Sequence, residues 1–344
     1  MIGRPFGQTD LTISAIGFGA WAIGGWLWGE QNDRDSIAAI HAALDVGVSW
    51  VDTAPIYGSG RSERVVGEAL RQLPTGRRPL VFSKFDLGDD SAKRALSATR
   101  AEELAECETS LHRLGVERID LYQLHWPVTQ PMAEVAGACD ELLRAGKIGV
   151  VGVCNFSIEQ LTAWKATGLP LHALQTPYSI LRPAAADSVL PWCEAQGLGA
   201  IAYSPLFRGM LFGTWGPDKP VAADDSRGEH KDYRGPRFLR HLQAIEELRA
   251  VAAGDDLSVA QLAIGALMCT PGLTGCIVGA RSAVQGAALG DLGMPLSAKQ
   301  LSAVEAIMAR LMDDLAAIPT GGHVTAQTAR RFCRHACKSN SRLR

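Results

Sequence analysis

Eight short apolar runs recur along this chain, each parted from the next by a stretch of helical periodicity. The runs are Ile16–Ala20, Ser49–Thr53, Leu80–Lys84, Ile119–His125, Gly149–Val153, Ala173–Gln175, Gly199–Tyr203 and Cys276–Gly279. Most are rich in Val, Ile or Leu, as strands covered on both faces should be. The intervening periodicity predicts helices over about 33–45, 131–145, 158–167, 184–196, 237–253, 259–270 and 298–316. One more is opened by Thr99, with Glu102 three residues on in a capping box, and carries the stripe Leu104, Cys107, Leu111, Leu114 before Gly115 ends it. Eight strands alternating with helices imply either a closed (β/α)8 barrel or an open doubly wound sheet. Residues 4–15 alternate loosely around Gln8-Thr9-Asp10 and predict a short hairpin.

A single barrel domain can reach the chain's 344 residues. The net charge of −2 argues against nucleic acid as a main partner. No apolar run approaches ~18 residues, so no membrane-spanning helix is expected. The opening Met-Ile-Gly-Arg-Pro-Phe-Gly has no apolar core of a secretory signal. The eight scattered cysteines are read as reduced thiols of a cytoplasmic protein. Cys333, His335 and Cys337 lack a second ligand pair at zinc-site spacing, so no metal site is expected. From Leu315 onward there is no carboxylate, while Arg330, Arg331, Arg334, Lys338, Arg342 and Arg344 are basic. Residues 1–318 are therefore read as the folded domain and 319–344 as a solvated, flexible basic tail.

Gly17-Phe-Gly19-Ala-Trp-Ala22 fits the loose G-x-G-x-x-A dinucleotide fingerprint. That motif needs a helix to begin at once, so that its amides meet a pyrophosphate. An aromatic loop follows instead, and helical periodicity starts only near Asp33. The better reading is a strand running into a loop with Trp21, Trp26 and Trp28 at a pocket mouth.

The reactive candidates sit where apolar strands end. Asp52 closes the second run in Asp52-Thr-Ala-Pro-Ile-Tyr57-Gly-Ser-Gly60, Lys84 the third, and His125 the fourth in Gln123-Leu-His125-Trp126-Pro127. In a barrel all strand C-termini converge on one face, where active sites lie. Each residue alone could be a capping Asp, a surface Lys or a satisfied His; together they point to one site.

With these runs in view the sequence resembles the aldo-keto reductases over about residues 4–318. The resemblance rests on Asp52–Gly60 with Ser62-Glu63, Ser83-Lys84, Gln123–Pro127, Gly146–Phe156, Gln175–Ser179, Tyr203–Leu206 and Ile277–Ser282, all in the family's order. It is nearest to bacterial members of the stress-protein and inositol-dehydrogenase-like branch, which reduce small aldehydes and sugars. The resemblance implies a (β/α)8 barrel that reduces carbonyls with NADPH.

Under that resemblance Tyr57 is the general acid. A free Tyr has a pKa of ~10; Lys84 is expected to lower it, with Asp52 holding Lys84 and His125 orienting the carbonyl oxygen. Relatives that reduce steroid double bonds carry Glu in place of this His, so His125 implies carbonyl reduction. Asn155 and Gln175 are expected on the nicotinamide carboxamide and Tyr203 against its ring. Ser204, Pro205, Leu206 and Gly209 are expected along the pyrophosphate. Gly279, Arg281, Ser282 and Gln285 follow at the adenosine end, with Arg281 and Ser282 on the 2′-phosphate. Trp21, Trp28 and Trp126 suggest an aromatic substrate pocket, joined by the loop around Tyr233–Phe238.

Three positions depart from the family pattern. Cys154 replaces the usual Ser before Asn155, and Ala288 and Leu289 stand where relatives carry an acid and an Asn on the adenine. The sequence thus implies an NADPH-dependent aldehyde or ketone reductase, expected to be a monomer. A dehydrogenase of sugars or polyols working in the oxidative direction is the alternative. A redox-sensing binding subunit is disfavoured because the four reactive positions are intact, and a zinc alcohol dehydrogenase because no ligand set appears.

Overall fold

A computed structural model describes residues 1–25, 31–85, 99–129, 131–218 and 226–318. The expected hairpin is present as β1 (Gly3–Pro5) and β2 (Thr12–Ser14). Eight strands follow: β3 (Ile16–Gly19), β4 (Trp50–Asp52), β5 (Leu80–Phe85), β6 (Ile119–Leu124), β7 (Ile148–Cys154), β8 (Ala173–Pro177), β9 (Gly199–Tyr203) and β10 (Gly275–Gly279). Each pairs in parallel with the next and β10 pairs with β3, so the sheet is a closed barrel and not an open one.

The helices are α1 (Asp33–Asp45), α2 (Arg61–Arg71), α3 (Arg100–Leu114), α4 (Met132–Arg144), α5 (Ile158–Ala166), α6 (Val189–Ala195), α7 (Gly235–Ala253), α8 (Val259–Met268), α9 (Ala283–Ala287) and α10 (Ala298–Ala317). The capping box of Thr99 and Glu102 opens α3, and left-handed Gly115 ends it. Two differences from the sequence reading have local causes. Helix α2 was not anticipated, because it starts after left-handed Gly60 with no side-chain cap to announce it. Helix α6 begins at Val189 because Pro183–Ala185 forms a separate 3-10 turn and Ser188 (φ −134°, ψ −93°) breaks the run. Strand β3 ends in a 3-10 turn at Ala22–Gly24 and α1 begins only at Asp33, so the glycine-rich run does not open a helix.

The core has two layers. One lies between barrel and helices. The other fills the barrel's lower half with Trp50, Phe82, Leu121, Val150, Ala173 and Ile201, closed from below by Phe6 and Ile13 of the hairpin. Trp50 packs tilted against Phe82, with ring centroids 5.0 Å apart, and donates its indole N–H to the Ser14 carbonyl at 2.9 Å. Gly17 is fixed by this packing, since a Cβ there would lie 2.2 Å from the Trp50 ring.

Strand periodicity then sets what lies above. Side chains two residues apart share a face, so the positions following Trp50, Phe82, Leu121, Ala173 and Ile201 on the inner face are Asp52, Lys84, Gln123, Gln175 and Tyr203. An apolar layer at the bottom thus carries a polar layer at the C-terminal mouth. No helix among the described residues is long and apolar enough to cross a membrane. Residues 319–344, including Cys333, His335 and Cys337, lie outside the described residues.

Candidate active site

Asp52 and Lys84 meet across β4 and β5. Lys84 Nζ donates to Asp52 Oδ1 at 2.5 Å, with side-chain exposures of 0% and 3%. An ammonium has three hydrogens to donate. Nζ has two further acceptors, the Thr53 carbonyl at 3.0 Å and the Tyr57 phenol oxygen at 3.3 Å. Asp52 Oδ2 in turn accepts from Gln175 at 2.8 Å and Gln123 at 3.4 Å. Gln175 is buried, and its amide nitrogen also donates to Gln123 Oε1 at 3.3 Å. Sequence reasoning missed Gln123; its two-residue offset from Leu121 was the available signal. Cys154 is buried in the same network and donates its thiol to Gln123 at 3.8 Å.

Tyr57 is partly exposed, on the loop between β4 and α2. That loop is gripped closely: a Cβ on left-handed Gly58 would lie 2.2 Å from the Gly24 carbonyl oxygen. Helix α2 is bolted down at its start, where Ser62 donates to the Ala20 carbonyl at 2.8 Å and Glu63 accepts from Ser83 at 2.8 Å. Around the Tyr57 ring stand Trp21, centroid to centroid at 6.2 Å, and His125, edge-on at 5.9 Å. Trp126 is exposed beside His125, with ring centroids 6.5 Å apart. Trp28 lies outside the described residues.

The electrostatics depart from the simple expectation. Burial pushes the Tyr57 phenol up to about 12, although the charge and hydrogen bond of Lys84 pull the other way. Burial also works against the Lys84 ammonium, but the Asp52 carboxylate together with the neighbouring Tyr57 and Cys154 outweighs it and holds Lys84 above its ordinary value. The site therefore contains a protonated phenol facing a fixed cation.

Asn155, just past β7, is left-handed at φ 64°. Its side chain donates to the His125 carbonyl at 3.1 Å and accepts from the Tyr203 hydroxyl at 2.8 Å. After β9 the chain runs through Ser204, Pro205 and Leu206 into a turn in which Ser204, Phe207, Arg208 and Gly209 all have positive φ. Of the six positive-φ non-glycine residues described, Ser59, Asn155, Ser204, Phe207 and Arg208 all lie at this mouth. Such backbone is costly and clusters where function requires it; consecutive turned amides also form anion-binding concavities.

Tyr233 and Phe238, expected at the pocket, are buried behind that turn. Tyr233 donates to the Phe207 carbonyl at 2.7 Å and stacks on its ring. They support the turn from behind because their rings pack with Trp215 and Phe207.

At the far side, Gly279 closes β10, and Ser282 caps α9 by accepting from the Gln285 N–H. Gln285 Oε1 accepts from the Arg281 N–H at 2.8 Å. Leu289 is buried and Ala288 exposed. A nicotinamide dinucleotide fits this donor set: amides and an aromatic face at one end, turned backbone in the middle, a guanidinium and hydroxyl at the other. Among the described residues no group of three or more His, Cys, Asp or Glu could hold a metal ion.

The Aldo/keto reductase family model matches residues 15–309. The chain is 36% identical to the aldo-keto reductase YhdN of Bacillus subtilis over 310 residues, 89% of this chain and 93% of that one. It is 32% identical to the NADH-specific methylglyoxal reductase of Escherichia coli, covering 82% and 90% of the two chains. The solved glycerol dehydrogenase AKR11B4 from Gluconobacter oxydans superposes with a TM-score of 0.83 at 33% identity, covering 94% of this chain and 99% of that chain.

Proposed function

The chain belongs to the aldo/keto reductase family of NAD(P)H-dependent oxidoreductases, and on that premise we propose that it reduces small aldehydes and ketones with NADPH, using Tyr57 as general acid. The observation that carries this reading is the three-way engagement of Lys84. Because the Tyr57 oxygen accepts from Lys84, its own O–H proton is left to donate to another group.

When bound, the nicotinamide supplies the hydride. The carbonyl oxygen then gains negative charge and needs a proton. Tyr57 gives that proton, and the phenolate left behind is stabilised by the adjacent Lys84 ammonium. Asp52 keeps Lys84 charged and in place. The His125 imidazole orients and polarises the carbonyl oxygen. General acid catalysis of this kind contributes ~10²–10⁴-fold, and a preorganised donor at the developing oxyanion adds to it.

The cofactor assignment rests on the family resemblance and is supported by the donors these residues present. Asn155, held by Tyr203 and the His125 carbonyl, and the Gln175 amide oxygen take the carboxamide. Tyr203 stacks on the ring. Ser204, Pro205, Leu206 and Gly209 line the pyrophosphate, and Gly279, Arg281, Ser282 and Gln285 surround the adenosine end. Arg281 is the basis for NADPH over NADH. Trp21, Trp28 and Trp126 are assigned to the substrate pocket.

The oxidative direction, an NADP-dependent polyol dehydrogenase, is favoured by the likeness to the Gluconobacter glycerol dehydrogenase. One experiment separates these readings. Purified protein is screened with NADPH and NADH against aldehydes, ketones and sugars, and with the oxidised cofactors against polyols. Aldehyde-dependent NADPH consumption supports the first reading, polyol-dependent NADP+ reduction alone the second, and no turnover in either direction contradicts both.

A further inference from the structure

Gln31 lies just before α1 and grips Arg281, 250 residues later, at two points. Its amide oxygen accepts from Arg281 Nε at 2.7 Å, and its amide nitrogen donates to the Arg281 carbonyl at 2.9 Å. Gln31 is held in turn. The same nitrogen donates to Ser36 Oγ at 3.0 Å, and fully buried Ser36 donates to the Asn32 carbonyl at 2.8 Å. The Gln31 carbonyl accepts from Arg61, which also pairs with Asp33.

We infer that Gln31 is a positioning residue that sets the cofactor's 2′-phosphate preference through Arg281, an inference that rests on the NADPH reading above. A guanidinium is planar, so an acceptor held against Nε constrains the orientation of the whole group, while the bond to the Arg281 carbonyl anchors the backbone that carries it. A phosphate that meets a guanidinium held in one orientation makes charge-assisted contacts, the strong mode of phosphate recognition. The chemistry of the partner matters as much as its geometry. A neutral amide orients Arg281 without cancelling its charge. A carboxylate at position 31 would make the same contact to Nε, neutralise the cation and repel a phosphate dianion.

The test uses the full chain and two probes of the adenosine end, adenosine 2′,5′-bisphosphate and 5′-AMP, with dissociation constants read by calorimetry on Gln31→Ala, Gln31→Glu and Arg281→Ala. A net hydrogen bond is worth about 0.5–1.5 kcal/mol, so Gln31→Ala should cut the preference for the bisphosphate roughly threefold to tenfold and leave 5′-AMP binding unchanged. Gln31→Glu, which retains Arg281, should cut it further. If both variants keep the wild-type preference while Arg281→Ala loses it, Gln31 has no such role. If Gln31→Ala weakens both probes equally, the residue supports the loop and not the phosphate, and the inference is overturned. If Arg281→Ala itself keeps the preference, the 2′-phosphate reading fails at its source and the inference with it.

Discussion

Lys84 donates a hydrogen to the Tyr57 phenol oxygen at 3.3 Å while its Nζ sits 5.1 Å from the centre of the Tyr57 ring. The cation is thus placed beside the oxygen where a phenolate would form. Lys84→Met removes it and leaves Asp52 buried with only amide donors. Turnover should fall by about 10²-fold or more, and stability by about 3–5 kcal/mol, the cost of breaking a buried pair. Steady-state rates and thermal melts check both. Wild-type turnover in a folded Lys84→Met protein would remove Lys84 from the mechanism.

The pH dependence follows from the phenol's position at about 12. Burial is the dominant cause, and it favours the protonated form. A reduction that draws on that proton keeps its donor at every working pH, so the reductive kcat/KM should show no loss of an acid between about pH 6 and 9. Alcohol oxidation needs the phenolate and should climb with pH over the same range. A reductive limb that falls near pH 8 would contradict this protonation state.

Behind the turn that follows β9, buried Asp232 pairs with Arg237 at 2.7 Å and His241 at 3.5 Å. Burial alone would raise the Asp232 carboxyl, but His241 and Arg237 outweigh it and hold it well below the ordinary carboxylate range. A depressed carboxylate contributes stability that is present above its unfolded pKa of ~3.9 and is lost as pH falls through the folded value. Asp232→Asn should therefore cost about 3 kcal/mol near neutrality, and the gap in melting temperature from wild type should narrow on acidification below about pH 4. A gap independent of pH would mean that the carboxylate's charge is not what matters.

The apolar plug makes a prediction free of any functional assumption. Trp50 is fully buried among Phe82, Gly17 and the hairpin. Trp50→Ala should lower stability by about 3–5 kcal/mol, read from denaturant unfolding. A loss below about 1 kcal/mol would mean that the plug does not hold the barrel.

The eight strands were legible because each is a short, largely apolar run between helical stretches, and closure was not, since alternation is shared by open and closed sheets. Asp52, Lys84 and His125 stood out as polar groups ending apolar runs. Tyr57 sits on a loop with no periodicity, so only the resemblance of Asp52–Gly60 to a family marked it. Gln123 hid inside an apolar strand because it carries no charge. Gln31 was missed and Tyr233 was expected at the pocket and not behind the turn for a different reason: their roles lie in contacts across 250 and 26 residues of chain, and local pattern carries no trace of such contacts. The left-handed run at Phe207 and Arg208 was equally hidden, because neither residue type advertises positive φ.

The most direct test of the account is Tyr57→Phe, which removes the proton donor and keeps the ring. NADPH consumption on a small aldehyde that the wild type reduces should fall ~10²–10⁴-fold, while NADPH binding, followed by quenching of tryptophan fluorescence, stays within about twofold. Full turnover in that variant would contradict Tyr57 as the acid and with it the reading of the site.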